Sequence, residues 1–191
     1  TLTMLDGAEL ALKDDTLVIA DAAKPVAMAG IMGGERSGVT EATQDILLES
    51  AFFAPLAISG RARSYGMATD ASHRFERGVD PQLQVKAIER ATQLLLDIVG
   101  GTPGPVVDQA STQHLPECKP VVLRRERIRR LLGVEIADST VEDILRRLDM
   151  HMENTPEGWR VTAPSCRFDI EIEADLIEEV GRIYGYAEIP M

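Results

Sequence analysis

Ala110-Ser111-Thr112-Gln113-His114-Leu115-Pro116-Glu117-Cys118-Lys119-Pro120 is the stretch on which the fold reading turns. It holds two prolines among mixed polar residues and follows neither the helical nor the strand hydrophobic period, so it reads as an interdomain linker. With the boundary between Cys118 and Lys119, residues 1–118 form one domain and 119–191 another. A chain of 191 residues with 45% apolar side chains can furnish two small packed cores.

Downstream of the linker, Val121 to Leu123 reads as a short strand. An arginine-rich helix follows and runs to Leu132, with Gly133 as its stop. Ser139 and Glu142 have capping-box spacing ahead of a helix that carries Val141, Ile144, Leu145 and Leu148 on one face. Trp159 to Ala163 reads as a strand, Ser165 to Asp169 as irregular. A last helix carries Leu176, Ile177, Val180 and Ile183 to a stop at Gly185. Three helices and a small sheet in about 70 residues have the size and element order of a winged-helix-like module.

Upstream, short strands are expected over Thr16 to Ala20, Val26 to Ala29 and Asp45 to Ser50. A short helix should start near Pro55 and end before Gly66. Gly66 to Gly78 has neither period and reads as an ordered loop. Asp80 and Pro81 are read as N-cap and first residue of a helix of about five turns, with Leu83, Ala87, Ala91, Leu95 and Ile98 as its apolar stripe. Gly100-Gly101 stops that helix, and Thr102 to Gln109 could return as a strand. The fold class expected is α+β, a β-rich domain followed by a small three-helix domain.

Composition narrows the function classes. Net charge is −11, from 20 Lys and Arg against 31 Asp and Glu, which argues against a general nucleic-acid binder. Residues 1–118 hold 9 cations against 16 carboxylates, and 119–191 hold 11 against 15. A local basic stripe survives within the second count: Arg124, Arg125, Arg127, Arg129 and Arg130 fall within seven positions, suited to phosphates or to a solvated face. No apolar run approaches the roughly 18 residues of a membrane span, and no signal-peptide pattern opens the chain. A soluble chain without membrane association is expected. Cys118 and Cys166 suit free thiols in a reducing cytosol, and His73, His114 and His151 lie in no metal-ligand pattern. Thr1, within an apparent strand and without an initiator Met, suggests a piece of a longer chain.

Two segments invite chemistry. Gly30-Ile31-Met32-Gly33-Gly34-Glu35-Arg36-Ser37-Gly38 offers four glycines for a structural turn or a ligand cradle, the turn being the commoner use, and lacks the P-loop ending. Glu49 follows Ile46-Leu47-Leu48 and precedes Ser50-Ala51-Phe52-Phe53, so its carboxylate lies at the rim of an apolar pocket or at a solvated strand end. Asp70, Ser72 and His73 could be drawn as a triad, but neighbours in one loop rarely meet in the required geometry.

Residues alone lead to a two-domain α+β chain without a named site. A resemblance goes further. Gly30 to Gly34, Leu48-Glu49-Ser50-Ala51-Phe52-Phe53 and Thr69-Asp70-Ala71-Ser72-His73-Arg74-Phe75-Glu76-Arg77-Gly78-Val79-Asp80-Pro81 resemble the editing module of the bacterial phenylalanyl-tRNA synthetase beta-chain family. Ala163-Pro164-Ser165-Cys166-Arg167-Phe168-Asp169, Asp175 to Val180 and Arg182-Ile183-Tyr184-Gly185-Tyr186 resemble the helix-turn-helix-like domain that follows editing there. The resemblance implies proofreading hydrolysis of tyrosine misacylated onto phenylalanine tRNA. It implies pocket roles for Gly33, Glu49, Thr69 and Ala71, with Glu49 reading the tyrosine hydroxyl. It also implies a cytoplasmic enzyme of two alpha and two beta chains that uses ATP and magnesium at an alpha-chain site, and no cofactor within this chain. The family's editing histidine lies upstream of Thr1, so poor editing by the chain alone is expected. The other class of reading is a non-catalytic nucleic-acid-binding or subunit-assembly module.

Overall fold

The computed structural model describes residues 1–189. The chain divides into two compact units between Leu115 and Pro116. Each unit is mixed α/β, with small antiparallel sheets and several helices.

In the first unit, β1 (Leu2–Thr3) pairs antiparallel with β2 (Glu9–Leu10). β3 (Val18–Ala20), β4 (Pro25–Met28) and β5 (Met32–Gly33) form an antiparallel meander. A single bridge from Met4 to Gly34 ties the two sheets together. Gly34 is required there: a Cβ would lie 2.5 Å from the Val26 carbonyl oxygen, closer than any side chain can sit. Leu2, Met4, Met28, Ile31, Ile58 and Ala62 form the core, flanked by half-buried Phe53, Tyr65, Met67 and Phe75.

Several expectations for this unit give way. Asp45 to Ser50 is irregular, with Leu47 97% exposed. Ile46-Leu47-Leu48 lacks the alternation that fits one buried face, and no strand edge pairs with it. Thr102 to Gln109 is likewise irregular and exposed, because Pro103 and Pro105 remove ladder donors. The helix expected after Pro55 is two single turns, α1 (Pro55–Ile58) and α2 (Arg61–Ser64), broken at Gly60 with φ 73°. Gly66 to Gly78 contains a helix, α3 (Asp70–Phe75). The long helix, α4, runs Gln84–Val99. Asp80 closes an Asx turn, its Oδ1 accepting from the Gln82 N–H at 2.9 Å. No α4 residue is fully buried, and its half-buried face is Gln84, Ala87, Ile88, Thr92, Leu95 and Leu96, rotated from the expected stripe.

The second unit orders its strands β6 (Val121–Arg124), β8 (Gly158–Thr162), β7 (His151–Thr155), all antiparallel. Helices α5 (Arg125–Leu132), α6 (Asp138–Arg147) and α7 (Glu173–Tyr184) cover the sheet. Strand β7 went unforeseen because Met152 and Thr155 are its only half-buried positions, too sparse for a period-2 signal. Thirteen buried apolar residues form one core around fully enclosed Trp159. The indole N–H donates to Glu142 Oε1 at 3.1 Å, and the Arg125 guanidinium lies 4.6 Å from the ring centroid. Glu142 is therefore a core partner and not half of a capping box. The N-cap is Ala137, and Ser139 sits within the helix.

Candidate functional site

The three strings that carry the resemblance meet in the first unit. Gly30 is the middle residue of the β4–β5 turn, with φ 66°, and a Cβ placed on it would lie 3.2 Å from both Phe53 and Phe75. The two rings pack against each other, centroids 5.1 Å apart and tilted by 54°. Glycine is demanded twice here, by the left-handed backbone and by the aromatic pair. Phe53 thus brings the end of the Glu49 segment, and Phe75 the end of α3, onto the glycine turn.

Thr69 supplies the second tie. Its hydroxyl donates to the Ile31 carbonyl at 2.8 Å and accepts the Ser72 N–H at 3.0 Å. The Ser72 hydroxyl answers by accepting the Thr69 N–H at 3.1 Å and donating to the Thr69 carbonyl at 2.9 Å. One side chain therefore caps α3 and fastens it to the glycine turn. Ser in the third position, where Glu or Gln is the usual signal, is why the sequence concealed this cap and its helix. Ala71, next along α3, is half-buried. Gly33 lies in β5 opposite Ala27, and a Cβ there would come 3.1 Å from Leu5.

Glu49 is not at a strand end, since its segment has no strand. It is exposed by surface area, yet desolvation by surrounding protein raises its carboxyl above the ordinary glutamate value. Among the described residues no hydrogen bond joins Glu49 to Gly33, Thr69 or Ala71. A backbone link comes from Gln84, whose Nε2 donates to the Ala51 carbonyl at 3.4 Å and to the Asp80 carbonyl at 2.8 Å. The Asp70-Ser72-His73 triad does not form: the Ser72 hydroxyl is engaged in the cap, and His73 Nδ1 receives Arg77 Nη1 at 2.8 Å.

Two hollows lie away from these residues. One of about 280 Å3 runs along Leu2, Asp21, Lys24, Arg36 and Ser37, and one of about 370 Å3 in the second unit lies beside Arg125, Arg129, Ile136 and Trp159. Neither includes any of the four expected residues, so the candidate site is defined by the convergence of its segments. Among the described residues no group of three or more His, Cys, Asp or Glu could hold a metal, and no helix is long and apolar enough to cross a membrane.

In the second unit the arginine stripe is largely turned to structural use. Arg124 grips Glu173 through Nε at 3.0 Å and Nη2 at 2.6 Å. Arg125 Nε donates to Asp138 at 2.9 Å, and Arg129 Nη2 reaches both Glu126 oxygens at 3.0 Å. Glu179, 8% exposed, is held between Arg182 at 2.5 Å and Arg167 at 3.2 Å.

Comparison with known proteins gives these features a family. Residues 1–100 match the B3/4 domain and residues 121–186 the tRNA synthetase B5 domain. The phenylalanine–tRNA ligase beta subunit of Pectobacterium atrosepticum is 62% identical over 190 residues, those of Pseudomonas putida and Yersinia pestis 58% over 192 and 60% over 189. Each alignment takes in 99–100% of this chain and 24% of the relative, so the chain spans about a quarter of their length. With a B3/4 domain followed by a tRNA synthetase B5 domain, both aligned end to end with such subunits, the chain belongs to the phenylalanine–tRNA ligase beta-subunit family.

Proposed function

We propose that the first unit contributes to proofreading, hydrolysing tyrosine misacylated onto phenylalanine tRNA. The observation that carries this reading is the meeting of the glycine turn, the Glu49–Phe53 segment and α3 around Gly30. A synthetic pocket shaped for phenylalanine rejects an analogue that merely adds a hydroxyl by only about a hundredfold, so a second sieve must demand the hydroxyl. Glu49 meets that demand by accepting a charge-assisted hydrogen bond that phenylalanine lacks the group to donate. Desolvation strengthens such a bond and raises the carboxyl, so recognition weakens as the pH falls through that raised value. Gly33, Thr69 and Ala71 shape the amino-acid pocket. Water adds to the ester carbonyl carbon, the bond to the ribose oxygen breaks, and that oxygen leaves as a hydroxyl carrying a proton from the water.

In this reading the parent is a cytoplasmic ligase of alpha and beta chains that binds phenylalanine tRNA. ATP and magnesium act at its alpha-chain site and not in this chain. The second unit is a helix-turn-helix-like domain serving packing and assembly more than phosphate binding, which fits the carboxylates that occupy Arg124, Arg125 and Arg129. A chain spanning a quarter of its relatives edits poorly by itself. The test is deacylation of tyrosine-charged and phenylalanine-charged tRNA by the full-length synthetase. Preferential release of tyrosine is expected, and equal rates for the two esters would overturn the reading.

A further inference from the structure

We infer that Gln84 is a positioning residue for tyrosine recognition, its side-chain amide setting where the Glu49 segment lies. The inference rests on the editing reading above and concerns how the recognising carboxylate is held in place.

The segment has few ties of its own. Residues 44–53 carry Glu49 and form no helix or strand. Among the described residues, none of their backbone groups enters a backbone–backbone hydrogen bond. Residues 41–49 are exposed, and half-burial begins only at Ser50. The course of the segment is therefore set by contacts near its C-terminal end. One is the Phe53 ring against Phe75, centroids 5.1 Å apart. The other is Gln84 Nε2 donating to the Ala51 carbonyl at 3.4 Å, the one hydrogen bond that reaches residues 44–53 from elsewhere among the described residues.

Chain geometry gives that second tie its weight. A residue spans at most about 3.3–3.6 Å, so with Phe53 as sole anchor Glu49 would hang on a four-residue arm of about 13 Å. Fixing Ala51 shortens the arm to two residues, about 7 Å, and cuts the volume it can sweep to about an eighth. A misplacement of about 1 Å can cost a reaction about a hundredfold, so the difference bears on whether the carboxylate meets the tyrosine hydroxyl.

Gln84 is itself held. Its Nε2 donates to the Asp80 carbonyl at 2.8 Å, the shorter of its two bonds. Asp80 is fixed in turn by its own Asx turn, through the Gln82 N–H at 2.9 Å. Both partners of the amide are carbonyl oxygens, so only its nitrogen can face them, and the orientation of the group follows from the chemistry. As the first residue of α4 and half-buried, Gln84 ties the Asp80 turn to the Glu49 segment. The bond to Asp80 has already ordered the side chain, so the bond to Ala51 costs little further rotamer entropy.

The test uses full-length synthetase carrying Gln84→Met, which keeps length and helix propensity but donates nothing, Gln84→Lys, whose ammonium can donate to both carbonyls, and Gln84→Met combined with Glu49→Ala. Gln84→Met should lower the ratio of tyrosine to phenylalanine deacylation roughly twofold to tenfold, the worth of one neutral hydrogen bond, with tRNA affinity and thermal midpoint at wild-type values. Gln84→Lys should restore most of the ratio. Beside Glu49→Ala, Gln84→Met should lower the ratio no further, because it acts through that carboxylate. An unchanged ratio in Gln84→Met, or losses that multiply in the double variant, would overturn the inference. A ratio that fell only together with the thermal midpoint would reduce Gln84 to a structural role and overturn it as well. Chymotrypsin cleavage after Leu48 or Phe52, mapped by mass spectrometry, reads the segment without reference to activity. Gln84→Met should be cut several times faster than wild type and Gln84→Lys at close to the wild-type rate, and equal rates for all three would contradict the positioning role. Should the wild-type enzyme release tyrosine and phenylalanine equally, the editing reading falls, and the cleavage rates still judge whether Gln84 holds the segment.

Discussion

The two units of this chain solve the burial problem differently. The second gathers thirteen buried apolar residues into one core from 76 residues, whereas the first gathers six from 115 and leaves α4 without a fully buried residue. Each fully buried aliphatic or aromatic side chain contributes about 1.5–3 kcal/mol, and the second unit has about threefold more of them per residue than the first. The second unit therefore carries the means of its own stability. The first has its residues committed instead to glycine turns, one capped short helix and an aromatic pair, the features that define the candidate site.

The bluntest way to break that contrast is to express the units apart. Residues from 116 onward should unfold cooperatively on heating, and 1–115 should aggregate or melt without a transition. A sharp reversible transition for the first unit would erase the distinction. Within the intact chain, Trp159→Ala should cost about 3–5 kcal/mol in denaturant unfolding, whereas Leu95→Ala on half-buried α4 should cost less than about 1 kcal/mol.

Acid sharpens the same comparison. In the second unit Arg182 and then Arg167 hold the Glu179 carboxyl below its ordinary range, Arg124 does so for Glu173, and Arg167 for Asp169. Each group binds its proton more weakly folded than unfolded. The stabilisation is complete above the unfolded-chain values of about 4 and is lost as the pH falls through the lower folded values. Thermal scans from pH 6 to pH 2 should show the second unit losing stability in that window. Glu179→Gln should remove about 1–3 kcal/mol at neutral pH and flatten the acid dependence.

The smallest effects concern helix starts. Thr69→Ala removes a cap and the tie to Ile31 and should cost about 1–2 kcal/mol. Ser139→Ala, at an expected cap that the structure leaves unused, should stay within about 0.5 kcal/mol. Equal losses would mean that the observed and the expected cap are equivalent.

Legibility followed the same division. In the second unit three helices, two of three strands and the glycine stop at Gly133 could be read directly, because periodic apolar faces exist where a core exists to receive them. In the first unit the β3 and β4 positions were legible, but α3 was not, since its stability comes from one threonine hydroxyl shared between a cap and a distant carbonyl. The segment before Glu49 misled for the opposite reason: three apolar residues in a row announce burial, and Leu47 is almost fully exposed. The convergence of Phe53 and Phe75 on Gly30 links residues 23 and 45 positions away along the chain, and no local pattern encodes that. Gly33, Glu49, Thr69 and Ala71 were named through resemblance, not spacing.

The central claim is that Glu49 reads the hydroxyl separating tyrosine from phenylalanine, and the ratio of deacylation rates for the two charged tRNAs tests it most directly. In full-length enzyme carrying Glu49→Ala, loss of a hydrogen bond to a charged group, about 1.5–3 kcal/mol, should lower that ratio roughly tenfold to a hundredfold while tRNA affinity holds. A mutant that kept the wild-type ratio would contradict the account and leave Glu49 as a solvated carboxylate on an irregular segment.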